Sequence, residues 1–303
     1  MTYMKEVYFI AKHNPGTEAI IVAINNYANA GEFRYAYEYL NIATMFNRDI
    51  APVYYNTLSK YLTCGDRKPV TKDPLLITWT IRPKNVPFLN MVDPDKRLYE
   101  NMLGLAAWIL DRSFENIIVT ESSNFEINVE KLKSIGKQFN KNIDYHTFAN
   151  SENVSKYGKG YGEGEIVKHT FESNELFRKC KRFTKMNGKQ YVPFYEFFLL
   201  RGQETFEYFN LHYIANKLAV DTRFYCIDKQ YYLDRLLDAY TECNDHKDNY
   251  LEHVFFEKTQ ERMNYYLPRE PNVLGRQGSI EKNYGDYPTE VHELCKYLIQ
   301  EIV

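Results

Sequence analysis

Apolar positions in the first quarter of the chain recur at helical spacing. Ile20, Ala23, Ile24 and Tyr27 share one helix face, and Phe33, Ala36, Tyr37, Leu40 and Ala43 continue the pattern on another. Residues 17–46 therefore predict two helices broken near Asn29-Ala30-Gly31, where glycine suits a helix end. A third helix is predicted over 51–62. The polar, proline-bearing stretch 65–74 reads as a linker, and after it the pattern changes. Residues 75–81 (LLITWTI) form a β-branched apolar run of strand length, closed by Arg82-Pro83. Asp93, Pro94 and Asp95 then fit the N-cap, the first helical position and the positive end of the dipole of a helix running to Arg112. Further strands are predicted over 116–120 (NIIVT) and 143–148, with a helix over 129–139 between them. Strands alternating with helices predict a parallel α/β unit, whose ligands sit at the carboxyl ends of the strands. That rule places Thr80 and Arg82 on one rim with Glu121 and Ser122. The expected organisation is a helical segment over 1–73 and an α/β domain over 74–303.

Composition narrows the function classes. The 303 residues carry 38 Lys+Arg against 40 Asp+Glu, a net charge of -2. Nucleic-acid affinity rests on clustered cationic charge, so nucleic acid is excluded as the main partner. The local basic run Arg178, Lys179, Lys181, Arg182 and Lys185 is short enough to serve one anionic ligand or only solvent. Five scattered cysteines without a CxxC pair argue against a zinc or redox motif and fit a reducing cytoplasm. The histidines show no metal-ligand spacing. No leader sequence and no run of about 18 apolar residues is present, so a cytoplasmic location is expected. The 27 Tyr and 19 Phe are a bias that AT-rich coding explains at least as well as ligand stacking.

Residues 157–165, YGKGYGEGE, carry the strongest chemical signal. Close glycines permit positive φ and let backbone amides approach an anion. A following helix N-terminus adds its dipole and Lys159 a full charge. Gly160, Gly162 and Glu163 complete this expected diphosphate cradle. It is neither the P-loop nor the dinucleotide fingerprint GxGxxG.

The ordered set Glu121-Ser122-Ser123, Gly158 to Glu163, Lys185 to Lys189, Asp221 to Phe224 and Leu251-Glu252 resembles a group of bacterial and viral glycosyltransferases that build surface polysaccharides. The resemblance implies a GT-A-like fold in which a Rossmann-type half binds a nucleotide-sugar donor and a second half holds a glycan or glycolipid acceptor. It also implies Glu252 or Asp221 as the base that takes the acceptor proton, with His253 orienting a phosphate or sugar hydroxyl; for Asp221 an internal pair with Arg223 is an equal structural alternative. The metal-binding DxD of such enzymes is not found: Asp93-Pro94-Asp95 reads as a helix cap, and Asp245-His246-Lys247-Asp248 has the wrong spacing. Lys185 and Lys189 stand where a DxD belongs, and fixed positive charge there neutralises a leaving diphosphate without a metal. No metal and no cofactor are therefore expected. Residues 275–279 resemble a loop of the same group that closes over the donor, and Tyr195 or Phe197 are candidates for an acceptor groove. Cys180, beside basic residues, reads as a structural cysteine before a reactive thiol.

The front helices resemble one tetratricopeptide-type hairpin, too few repeats for a solenoid. Packing against the main domain is the simpler expectation, and docking to a membrane or a biosynthetic complex the alternative. Two other functions compete with sugar transfer. One is nucleotidyl or phosphoryl transfer onto sugars, which needs a metal more strongly; the other is a non-catalytic interaction protein on a degenerate transferase scaffold.

Overall fold

Every residue of Leu75–Trp79 is buried, the mark of an interior strand covered on both faces. This strand, β1, lies inside a six-stranded sheet in the computed structural model, which describes residues 16–45, 50–65, 68–199, 208–261, 272–277 and 283–303. The other strands are β2 (Asn116–Glu121), β3 (Asn142–Thr147), β4 (Arg182–Asn187), β6 (Tyr208–Ile214) and β7 (Lys217–Asp228). Their order is β3-β2-β1-β4-β7-β6. The first four run parallel, and β7 and β6 are antiparallel additions. A short pair, β5 (Gln190–Tyr191) with β8 (Leu274–Gly275), lies beside the main sheet. The expected α/β fold with a Rossmann-type sheet is thus what the chain forms.

Three helices open the described chain: α1 (Thr17–Asn29), α2 (Phe33–Met45) and α3 (Ala51–Thr63). Gly31, at φ 76°, makes the turn between the first two. Their apolar faces join the core beneath the sheet: Tyr37 and Tyr61 pack on Phe194 at 5.5 and 4.9 Å. The same face takes α4 (Pro94–Leu110), α5 (Val129–Gln138) and α12 (Thr289–Ile302). Asp93 caps α4 as its sequence predicts, accepting from the amides of Asp95 and Lys96. The opposite face is covered by α7 (Lys159–Ser173), α8 (Glu175–Lys179), α10 (Lys229–Arg235) and α11 (Leu251–Lys258), with α6 (Asn153–Tyr157) leading into α7 and α9 (Glu196–Leu199) lying between β5 and β6.

Two elements depart from expectation. β1 stops at Trp79, not at residue 81, because the amide of Ile81 donates to the Glu121 carboxylate (2.9 Å) instead of to a neighbouring strand. The glycine-rich stretch is not a loop: the helix begins at Lys159, so Gly160, Gly162 and Gly164 lie inside α7. Each glycine in a helix costs about 1 kcal/mol against alanine. Close packing offsets that cost here. A Cβ on Gly164 would lie 2.1 Å from Cβ of Tyr240, and one on Gly160 2.9 Å from Cβ of Leu251. Among the described residues, no helix is long and apolar enough to cross a membrane.

Candidate functional site

The sheet changes direction between β1 and β4: β2 and β3 extend it one way, and the chain returns to place β4 on the other side. Crevices form at such switch points outside the carboxyl ends of the strands. Here the crevice is a cleft floored by Thr78 and Thr80 from β1 and the turn after it, and by Asn187 and Lys189 from β4 and the turn after it. Helices α7 and α11 form one wall, with Glu163 and Glu252; Arg223 of β7 and Arg276 beyond β8 form the other. Because Met186 pairs with Phe224, Thr222 and Arg223 fall beside the end of β4. The cavity volume is about 160 Å3. That is below the ~300–1,000 Å3 of typical ligand pockets.

Thr80, Lys159, Gly160, Gly162, Glu163, Lys189 and Glu252, all singled out from the sequence, line this cleft together. Thr80 bonds Ser122 Oγ at 2.7 Å. Lys159, Lys189 and Glu252 make no side-chain hydrogen bond or ion pair among the described residues. Burial, reinforced by the nearby Arg97, holds the Lys189 ammonium well below the ordinary lysine value. Lys189 thus has no carboxylate in contact with it, although Glu100 and Glu163 oppose part of the downward shift.

Six other candidates lie elsewhere or are engaged. Glu121 is fully buried and collects the amides of Ile81, Ser123 and Phe125 and the Thr147 hydroxyl, so it clamps the strand ends and offers nothing to a ligand. Ser122 is occupied by Thr80, the Trp79 carbonyl and Asn150. Arg82 turns outward and stacks 4.9 Å from the Phe125 ring. Lys185 is at 0% side-chain exposure, and its three ammonium protons go to Glu163 (2.5 Å), Asn187 (2.6 Å) and the Thr222 carbonyl (2.8 Å). It braces the floor and has no donor left for a phosphate. Burial pushes Glu163 up and Lys185 down from their ordinary values, and each opposes the other's shift. Asp221, also fully buried, is chelated by Arg223 through Nε (2.8 Å) and Nη2 (2.6 Å). Burial alone would raise its carboxyl, but Arg223 outweighs burial and holds it below the ordinary value. A carboxylate so engaged cannot take a proton from an acceptor. His253 is 5% exposed and sits between the carbonyls of Asp248 and Ile214, away from the cleft.

The helix N-terminus expected to seat the diphosphate already holds an anion of the protein itself. Asp245 Oδ2 accepts from the Lys159 amide at 2.9 Å. Gly158 is required there, at φ 107°, because a Cβ would overlap the Asp245 carboxylate at 2.1 Å. Burial raises the Asp245 carboxyl to about 6, against the opposing pull of Lys159. The acceptor candidates Tyr195 and Phe197 are core residues, Tyr195 bonding Thr184 at 3.0 Å and Phe197 stacking on Tyr37 at 5.3 Å. Cys180, with its thiol pushed up to about 12 by burial, is not a nucleophile. Gly278 and Ser279 of the 275–279 loop lie outside the described residues.

Three cations of the cleft were not foreseen. Arg97, on the buried face of α4, donates to the carbonyls of Thr80 (2.6 Å) and Met91 (2.9 Å); burial lowers it only to about 10, so it stays charged. Arg223, the expected alternative partner of Asp221, makes that pair and also lines the cleft. Arg276, held 3.2 Å from Glu100, belongs to the loop already noted from the sequence. Among the described residues no cluster of His, Cys, Asp or Glu is suited to a metal ion.

No protein-family model and no curated protein matches the chain. Solved structures of similar fold include a glycosyltransferase involved in the glycosylation of the major capsid of PBCV-1, at 12% identity and TM-score 0.37 over 64% of this chain and 80% of that one. Another is a nucleoside-diphosphate-sugar pyrophosphorylase from Vibrio cholerae RC9, at 13% identity and TM-score 0.39 over 73% and 99%. A cytidylyltransferase from Leptospira borgpetersenii serovar Hardjo-bovis is similar at 13% identity and TM-score 0.33 over 76% and 96%. At these identities and scores the likeness assigns no activity to this chain.

Proposed function

We propose that this chain transfers a sugar from a nucleotide-sugar donor to a glycan acceptor, holding the donor diphosphate with side-chain cations in place of a metal. The observation that carries the reading is the pairing, in one cleft, of an unengaged carboxylate, Glu252, with an unengaged cation, Lys189. Charge balance supports it. The lining itself holds five basic side chains, Arg97, Lys159, Lys189, Arg223 and Arg276, against two carboxylates, Glu163 and Glu252. A diphosphate diester carries two negative charges and gains a third when its sugar departs. Cations fixed before the reaction stabilise that added charge without reorganising.

The reaction is a direct displacement. The acceptor hydroxyl oxygen bonds to the anomeric carbon while its proton passes to Glu252. The bond from that carbon to the diphosphate oxygen breaks, and its electron pair leaves on the nucleoside diphosphate, opposite Lys189 and the arginines.

Thermal shift against nucleotides and nucleotide sugars, with and without EDTA, tests donor binding. A ligand at ~100 times its dissociation constant stabilises the fold by about 2.7 kcal/mol. A shift that persists in EDTA is expected. A shift abolished by EDTA transfers the reading to metal-dependent nucleotidyl transfer. Glu252→Gln is expected to cut turnover by about 10²–10⁴-fold, the usual span of acid–base catalysis, with donor affinity nearly unchanged. Equal loss of both removes Glu252 from the base role.

A further inference from the structure

The cleft interior is charged, but one side of its mouth is not. Residues 83–92, between β1 and α4, contribute Pro83, Val86 and Leu89 to the lining, and within this segment Phe88 stands 61% exposed to water. Its backbone is left-handed, at φ 56°. For a bulky residue that conformation costs on the order of 1 kcal/mol or more, and it persists only where the surroundings impose it. Here they do. Ser155 Oγ donates to the Lys84 carbonyl, Arg97 Nη1 donates to the Met91 carbonyl, and the Phe88 ring lies 5.4 Å from the His246 imidazole at 58°. The segment is thus tied at both ends, and it presents the phenyl ring to solvent at a defined place beside the cleft.

The surroundings of the ring decide what it meets. Lys84, Asn85 and Asn90 of the same segment are exposed, as is His246 beside the ring, and Val92, at 59% exposure, is the segment's other exposed large apolar residue, so small apolar faces are offered among polar side chains. A pyranose matches that pattern, with a C–H face for the ring and hydroxyls for the polar border. A bilayer would require wider apolar surface. We infer that Phe88 is the platform on which a pyranose ring of the acceptor stacks, with His246 beside it as a hydroxyl partner. The inference rests on the sugar-transfer reading above and adds the residue that selects the acceptor, a role the buried Tyr195 and Phe197 cannot fill.

Saturation-transfer NMR on the full chain, with a panel of methyl pyranosides of glucose, galactose, mannose and rhamnose, tests it directly and needs no donor. At least one pyranoside is expected to receive saturation on its ring protons. Phe88→Ala is expected to weaken that binding about tenfold, the size of one ring contact. Phe88→Trp is expected to restore it, and nucleotide binding by thermal shift is expected to be the same in all three proteins. No saturation transfer in the parent chain, or equal transfer in Phe88→Ala, overturns the inference. So does Phe88-dependent sedimentation with phosphatidylglycerol vesicles, which would give the ring to a membrane. Failure of the donor reading appears separately, as a parent chain that binds no nucleotide.

Discussion

Lys185 and Lys189, four residues apart on one strand end and its turn, are expected to respond oppositely to the same substitution. Lys185→Met strips the cation from a buried arrangement in which Glu163, Asn187 and the Thr222 carbonyl all accept from it. Breaking a buried pair by removing one partner costs about 3–5 kcal/mol. Glu163 keeps some solvent contact, so the low end, about 3 kcal/mol, is expected. Lys189→Met removes a cation that burial and Arg97 disfavour more than Glu100 and Glu163 favour it. This variant is therefore expected to gain stability. Its cost falls on the ligand. A hydrogen bond to a charged group is worth about 1.5–3 kcal/mol, which makes nucleoside diphosphate binding roughly 10–150-fold weaker. The pH dependence follows from the same depression. Above the lowered Lys189 value the unfolded chain still holds a proton that the folded one has released, so this group makes stability rise with pH until the ordinary lysine value is reached. Nucleotide affinity falls over the same range as the cation is lost, and Lys189→Met flattens both trends. Urea unfolding and titration calorimetry from neutral to alkaline pH measure the two quantities. Destabilisation by Lys189→Met, with nucleotide affinity unchanged, would refute the assignment of a strained cation kept for a ligand.

Asp245→Asn keeps an acceptor for the Lys159 amide and removes a buried charge. Between the ordinary aspartate range and about 6 the folded protein holds a proton that the unfolded chain releases, so stability is lost as pH rises through that window, by up to about 3 kcal/mol. The variant is expected to match the parent near pH 4 and exceed it above pH 6 in urea unfolding; parallel pH slopes would exclude the effect. Gly164→Ala drives a methyl group into Tyr240 and is expected to destabilise by about 1–3 kcal/mol or more, although alanine is the better helix former. A rise in melting temperature would show that α7 does not pack as described.

Periodicity carried most of the fold, because local rules decide it: the Asp93 cap, the all-apolar β1 and the break at Gly31 each depend on residues a few positions apart. The site was legible where a motif points into the cleft and illegible where one residue type serves two ends. Glu121 at a strand terminus is as well suited to gathering amides as to binding a ligand, and the amide of Ile81, on the neighbouring strand's exit, settles the choice. Asp221 and Arg223 were both in view, and only the packing around Asn210 turns the carboxylate inward and leaves the guanidinium facing the cleft. The glycines misled for the same reason. Absence of a side chain admits either a phosphate or another chain, and at Gly164 and Gly158 it is Tyr240 and Asp245, distant in sequence, that occupy the space. With Asp245 on the Lys159 amide, the donor binding proposed above rests on side chains. Four of the cleft's cations, Arg97, Lys189, Arg223 and Arg276, come from α4, the turn after β4, the middle of β7 and the residue after β8, and no single stretch of sequence holds more than one of them.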